Sequence, residues 1–234
     1  MLNFTSSLVN VYIDGDSNNA SSQLQNVADK LYSQLAALYP LNGAITVKNL
    51  AKGGATFKTM LTGSDNSGIA EVNAAYESGK ANILIVNGFF NGAAIGGTMA
   101  SELADCKAYI KAVHTAHPDV RVLLMTTTAG KDDGGVGYNT VIDECNAYIR
   151  KYYKRLGAEA LIEIRPPGGV FDYHPPYTYS ETTFVKSQRY IDDVHWSPTG
   201  VAVVAQYIAD TLAALPNVAP RLPMGTGNML LGGF

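Results

Sequence analysis

Cysteine, tryptophan and charge are all scarce in this chain, and no apolar run reaches 18 residues. Each scarcity excludes something. Two cysteines in 234 residues cannot build a disulfide-stapled miniature or a multi-cysteine metal centre. Cys106 and Cys145 both fall on apolar helical faces, so buried free thiols are expected. Without a long apolar run a membrane-spanning helix is not expected. Charged residues make up 16%, and 17 basic against 20 acidic side chains leave a net charge of −3. No basic stripe suited to nucleic acid or an anionic membrane is visible along the sequence. The opening Met1-Leu2-Asn3-Phe4 has neither a charged n-region nor an apolar h-region, so no signal peptide is visible. A soluble protein is expected, either cytoplasmic or secreted or virion-associated with no signal in this chain.

What is present reads as a globular enzyme-sized unit. Apolar residues at 47% exclude a disordered chain, and a single globule of this mass buries about 70% of its unfolded surface. The expected organisation is one domain over residues 1–216 followed by an irregular Gly/Pro-rich tail over 217–234. The compositional excesses are 23 glycines and 14 tyrosines, which point to tight loops and aromatic contacts.

Apolar, β-branched runs at 8–13, 44–50, 82–86, 120–125 and 159–164 predict five strands. Between them, three- and four-residue spacing predicts helices. One runs from Ser22 to Tyr39 and a weaker one from Ile69 to Tyr76. Another spans Thr98 to Ala116, and one is opened by a Thr140-x-x-Asp143 capping box and closed by Gly157. A last helix has Ser197 as N-cap and Pro198 at its first position. Strands alternating with helices require parallel pairing through helical crossovers. The expected fold is α/β: a three-layer α/β/α sandwich around a five-stranded parallel sheet in the flavodoxin-like order 2-1-3-4-5.

In such sheets chemistry sits beyond the carboxyl ends of the strands. The first strand delivers Asp14-Gly15-Asp16-Ser17 there, the second Lys52-Gly53-Gly54-Ala55, and the third Asn87-Gly88-Phe89-Phe90-Asn91. Asp192-Asp193-Val194-His195 stands before the last helix. A hydroxyl, an imidazole, a carboxylate, loop amides and a carboxamide are the parts of a serine hydrolase. Each segment alone has an ordinary reading. Gly-Asp-Ser makes turns, and an asparagine can serve a helix end.

Taken in order, these segments make the chain resemble the SGNH (GDSL-like) hydrolases. Gly15-Asp16-Ser17 resembles the family's first block, which carries the nucleophile. Gly54 matches the second-block glycine and Asn91 the third-block asparagine, while Asp192-x-x-His195 matches the fifth block. Phe89 and Gly92 stand where the family often carries a glycine and an aspartate, and Asn87 is a competing candidate to Asn91. The resemblance implies ester hydrolysis through an acyl-serine intermediate. Ser17 would be the nucleophile, His195 the base and Asp192 the orienting acid, with Asp193 as the alternative. An oxyanion hole would come from Ser17, Gly54 and Asn91. It requires no cofactor, and no His/Cys/Glu cluster has metal-ligand spacing.

Between the fifth strand and His195 lie about 30 aperiodic residues rich in tyrosine, a length typical of binding loops. Asp16, Phe89, Phe90, Tyr173, His174 and Trp196 are the candidate substrate contacts. A carbohydrate O-acetyl ester is the leading expected substrate, because aromatic rings suit sugar faces and the small net charge suits a neutral ester. A lipase- or thioesterase-type specificity is the alternative within the same chemistry. The alternative of another class is a glycan-binding module of a viral or cell-surface assembly with little or no turnover. His114 and His117, at a helix end before Pro118, read as structural. A flavodoxin-like nucleotide or flavin binder fails, since no Gly-x-Gly-x-x-Gly follows the first strand.

Overall fold

The computed structural model describes residues 8–20, 27–39, 45–63, 68–130, 137–166, 171 and 194–215. The sheet has strands β1 (Val9–Gly15), β2 (Ile45–Asn49), β3 (Ala81–Asn87), β4 (Arg121–Met125) and β5 (Ala160–Ile162). All neighbours are parallel, in the order β2-β1-β3-β4-β5, the order expected for five alternating strands of this kind. Helices α1 (Val27–Leu38), α2 (Phe57–Thr62), α3 (Ile69–Ala75), α4 (Phe89–Ala94), α5 (Met99–Ala116), α6 (Tyr138–Tyr152) and α7 (Pro198–Ala214) surround it, with a 3-10 turn at Tyr153–Leu156. Neither α2 nor α4 is foreseen in the sequence. The expected tail lies outside the described residues.

Alternation along each central strand supplies two cores. Val9, Val11 and Ile13 of β1, Ile83 and Ile85 of β3, and Leu123 and Met125 of β4 face α1 and α7. Tyr12, Leu84, Val86, Val122 and Leu124 face the opposite way, onto Phe57, Tyr109, Ile110 and Ile149. Burial on both faces is what parallel sheets require. Truncating a leucine such as the fully buried Leu31 or Leu35 to alanine costs about 2–5 kcal/mol. Cys106 and Cys145 are buried and free, as expected.

Local chemistry fixes most element ends. Thr98 and Ser101 form a reciprocal capping box at α5, and Ser197 caps α7 ahead of Pro198. The expected Thr140 box does not form. Instead α6 starts from Gly137, whose φ of 79° is left-handed, and it has no side-chain cap. Asp143 is drawn to Arg165, and Asn139 clamps Gly130 by accepting from its N–H (2.9 Å) and donating to its carbonyl (3.1 Å). The fifth strand is also shorter than the apolar run suggests. Ile164 gives its N–H to Thr126 Oγ1 (3.0 Å) rather than to a ladder, and Glu163 turns to Arg150.

Candidate active site

β1 carries the nucleophile candidate to the carboxyl edge of the sheet. Gly15 must be glycine there: a Cβ would sit 2.2 Å from the Asn87 carbonyl oxygen of the neighbouring strand. The turn beyond it is closed by Asp16, whose carbonyl accepts from Asn19 (3.1 Å) and Ala20 (3.0 Å) and whose Oδ1 accepts from the Asn18 N–H (3.0 Å). Ser17, at the crest, is partly exposed.

Beneath the turn, Asp14 is fully buried. It accepts from the Gly15 N–H (2.8 Å) and from the Tyr109 hydroxyl (2.6 Å). Burial raises its pKa to about 6, against the opposing pull of the Tyr109 and Gly15 hydrogen bonds. A raised folded-state pKa means that folding favours protonated Asp14. Its contribution is complete below the ordinary value and is lost as pH rises through about 6. Asp16, raised to about 6, and Glu102, raised to about 7, act in the same direction, both mainly through burial. Glu77 and Glu159 are held low by Lys48 and Arg121 and stay ionised through this window. Thermal denaturation should therefore show Tm falling by several degrees between pH 5 and pH 8. Asp14→Asn should flatten the slope, by about 1.4 kcal/mol across that interval. A slope equal in both proteins would contradict this.

His195 reaches the serine from 178 residues away in sequence: its Nε2 lies 2.9 Å from Ser17 Oγ. With Nε2 unprotonated, the hydroxyl donates to it. The next two residues anchor the histidine. Trp196 gives its backbone N–H to Asn18 Oδ1 (3.3 Å) and its indole N–H to Thr128 Oγ1 (3.1 Å), and Ser197 then caps α7. His195 is thus tied to the nucleophile turn, to the end of β4 and to a helix start.

The oxyanion candidates arrive from two further edges. The chain leaving β2 keeps to β1, with the Leu50 N–H donating to Ile13 (2.8 Å) and the Lys52 N–H to Gly15 (3.0 Å). Gly53 follows, close enough that a Cβ would lie 3.9 Å from Ser17 Cβ, and then Gly54, left-handed at φ 80° with open space around it. Neither the Ser17 nor the Gly54 N–H is taken up by another group among the described residues. Asn91 extends from α4 and donates through Nδ2 to the Ala55 carbonyl (3.0 Å), which ties it to the Gly54 loop. Its competitor Asn87 is buried at the end of β3 and accepts from the Thr127 hydroxyl (2.6 Å). The unusual Gly92 also has a cause: a Cβ there would lie 2.0 Å from Glu102 Oε2, so a carboxylate from α5 occupies the space a side chain would need.

Three of the expected substrate contacts take buried positions. Phe89 is fully buried and packs edge-on against Phe57, 4.8 Å between ring centres. Trp196 is likewise in the core, facing Phe171. The Asp16 carboxylate is buried, with Oδ1 accepting from the Asn18 N–H and Oδ2 without a hydrogen-bond partner among the described residues. Phe90 packs on Tyr138 (5.3 Å) within a small apolar cluster that includes Val194, beside His195. Asp192, Asp193, Tyr173 and His174 lie outside the described residues. His114 and His117 are structural, as expected: one faces the Val120 carbonyl and the other stacks on Tyr76. The supporting residues Tyr109, Thr127 and Thr128 escape sequence reading: Tyr109 looks like an ordinary core-facing residue of α5, and Thr127 and Thr128 like the loop after β4.

No protein-family model matches the chain, and no curated protein matches it. Solved structures do resemble it. A GDSL-like lipase from Bacteroides thetaiotaomicron is 13% identical, with 87% of each chain covered and a TM-score of 0.58. A lipase/acylhydrolase from Enterococcus faecalis is 16% identical (87% of this chain, 95% of that one, TM-score 0.62). An acetyl xylan esterase is 15% identical (87% and 100%, TM-score 0.61). Among the described residues no group of His, Cys, Asp and Glu could hold a metal ion, and no helix is long and apolar enough to cross a membrane. The sheet order and these likenesses together give the chain the fold of the SGNH (GDSL-like) hydrolases.

Proposed function

We propose that the protein is a serine esterase that removes short acyl groups, in first place O-acetyl groups on a carbohydrate. The observation that carries this reading is the 2.9 Å contact between Ser17 Oγ and His195 Nε2, beside two backbone N–H groups with no other partner among the described residues. A serine hydroxyl is a weak nucleophile until a base takes its proton. As Oγ attacks the ester carbonyl carbon, its proton passes to His195. The carbonyl oxygen becomes an oxyanion held by the Ser17 and Gly54 N–H groups and the Asn91 carboxamide, each donor contributing about 3 kcal/mol. His195 then protonates the departing alcohol as the C–O bond breaks, leaving acyl-Ser17. Water, deprotonated by His195, attacks the acyl carbon, and the acid leaves as Ser17 regains its proton. Asp192, three residues before His195, is assigned to orient the imidazole and stabilise its cation.

The acetyl and carbohydrate parts draw support from the likeness to an acetyl xylan esterase and from the tyrosine-rich stretch before His195. A non-hydrolytic glycan-binding module would have no use for an aligned serine–imidazole pair, so that alternative is not favoured. The test is a panel of p-nitrophenyl acetate, butyrate and octanoate together with acetylated xylo-oligosaccharides. Expected are kcat/KM falling with acyl length and acetate release from the oligosaccharide. Octanoate preference would overturn the acetyl assignment, and no hydrolysis of any ester would overturn the esterase.

A further inference from the structure

A groove lies at the opposite end of the sheet from Ser17 and His195. α5 runs back from the candidate active site to the start of β4, and the 3-10 turn Tyr153–Leu156 leads into β5, so both end at the amino edge of the strands. Between them is a groove of about 360 Å³ flanked by Lys107 and Lys111 of α5 and by Lys154 and Arg155 of the turn, with His114 and Gly157 also lining it. Gly157 makes the close approach possible. Its φ is left-handed, and a Cβ would lie 2.9 Å from Ile110 Cγ2, so a larger residue would push the turn away from α5.

Four basic side chains line this groove on a chain whose net charge is −3. Among the described residues, no acidic side chain lines the groove and none of the four makes an ion pair. The guanidinium of Arg155 is 4.5 Å from the centre of the Tyr152 ring, and Lys154 Nζ is 5.9 Å from that of Tyr153; both contacts limit the freedom these side chains would lose on binding. Lys154 and Arg155 stand in the last turn of the 3-10 segment, where a helix C-terminus attracts cations, but the same attraction does not account for the α5 lysines. That effect fades within the last turn, whereas Lys107 stands more than two turns before Ala116, the end of α5. Unpaired like charges around a concave surface repel one another and raise the local concentration of anions. Pairs of tetrahedral oxyanions match both the planar fork of arginine and the point charges of lysine.

We infer that this groove binds a compact oligoanion carrying two or more phosphate or sulfate groups. Its volume is at the small end of ligand sites, which run from about 300 to 1,000 Å³. The cations come from two segments far apart in sequence, so the composition conceals them. The experiment is titration calorimetry of the full chain in 150 mM KCl with two probes, inorganic tripolyphosphate and a trisulfated disaccharide. At that salt concentration exposed charges more than about 8 Å apart are largely screened. Expected is one-to-one binding of at least one probe, weakened about tenfold or more in Lys111→Gln/Arg155→Gln, with ester hydrolysis unchanged. The probe that binds tells phosphate from sulfated glycan as the source. Binding of neither probe, or binding of equal strength in the double variant, would overturn the inference. Both replaced side chains are exposed, and an unchanged Tm of the variant excludes unfolding as the cause of lost binding.

Discussion

Replacing Ser17 by alanine is expected to lower kcat for p-nitrophenyl acetate by about 10⁴- to 10⁶-fold, or about 5–8 kcal/mol of transition-state stabilisation. The magnitude follows from the proposed role: without the hydroxyl there is no acyl-enzyme, and only the oxyanion donors and substrate binding remain. The fold should not register the change. Ser17 is at the crest of its turn and partly exposed, and the hydrogen bonds that close the turn belong to Asp16, Asn18, Asn19 and Ala20. His195→Ala should fall almost as far, and the double variant no further than the worse single one, because the two groups act as a unit. Steady-state kinetics with an unchanged Tm for Ser17→Ala is the measurement. A fall of less than tenfold would remove Ser17 from the nucleophile's role.

The second large effect separates two asparagines. Asn91→Ala is expected to lower kcat by about 100- to 1,000-fold with little change in KM, the usual cost of losing one oxyanion donor. Its Nδ2 carries two hydrogens. One is engaged by Ala55 O, which fixes the amide beside Gly54 and leaves the other for an oxyanion. Asn87→Ala should behave differently. Asn87 is buried, and its oxygen is held by the Thr127 hydroxyl, so its loss leaves a buried donor unpaired. That costs about 1–3 kcal/mol of stability and lowers kcat far less than Asn91→Ala does. The two variants, compared for kcat, KM and Tm, decide the assignment. A large kcat loss on Asn87→Ala with Asn91→Ala near the parent would reverse it.

The architecture is legible in the sequence because it rests on long apolar patterns. Five β-branched runs separated by amphipathic stretches admit little other than a parallel sheet, and Ser197-Pro198 marks the last helix start with two independent signals. What the pattern hides has local causes. α4 is six residues long, starts at Gly88 without a side-chain cap, and reads in sequence as the loop after a strand. Phe89 reads as a ligand contact because a buried ring on so short a helix has no period to reveal its direction. The Thr140 box fails because α6 begins earlier, at Tyr138 after Gly137, which puts Thr140 inside the first turn rather than at the N-cap. Ser17, His195, Gly54 and Asn91 can be named from ordered blocks. The groups that hold that region in place, Tyr109 on Asp14, Thr127 on Asn87 and Thr128 on Trp196, are contacts between distant segments that no single-element pattern encodes.

The most direct test of the central claim is the mapping of a fluorophosphonate adduct by peptide mass spectrometry. The probe forms a stable phosphonyl ester with a hydroxyl only where a base activates it and donors hold the phosphonyl oxygen. One adduct per chain is expected, on the peptide containing Ser17, with labelling abolished in Ser17→Ala and strongly slowed in His195→Ala. An adduct on a different residue, or an unlabelled chain that still hydrolyses p-nitrophenyl acetate, would contradict the assignment of Ser17 as nucleophile.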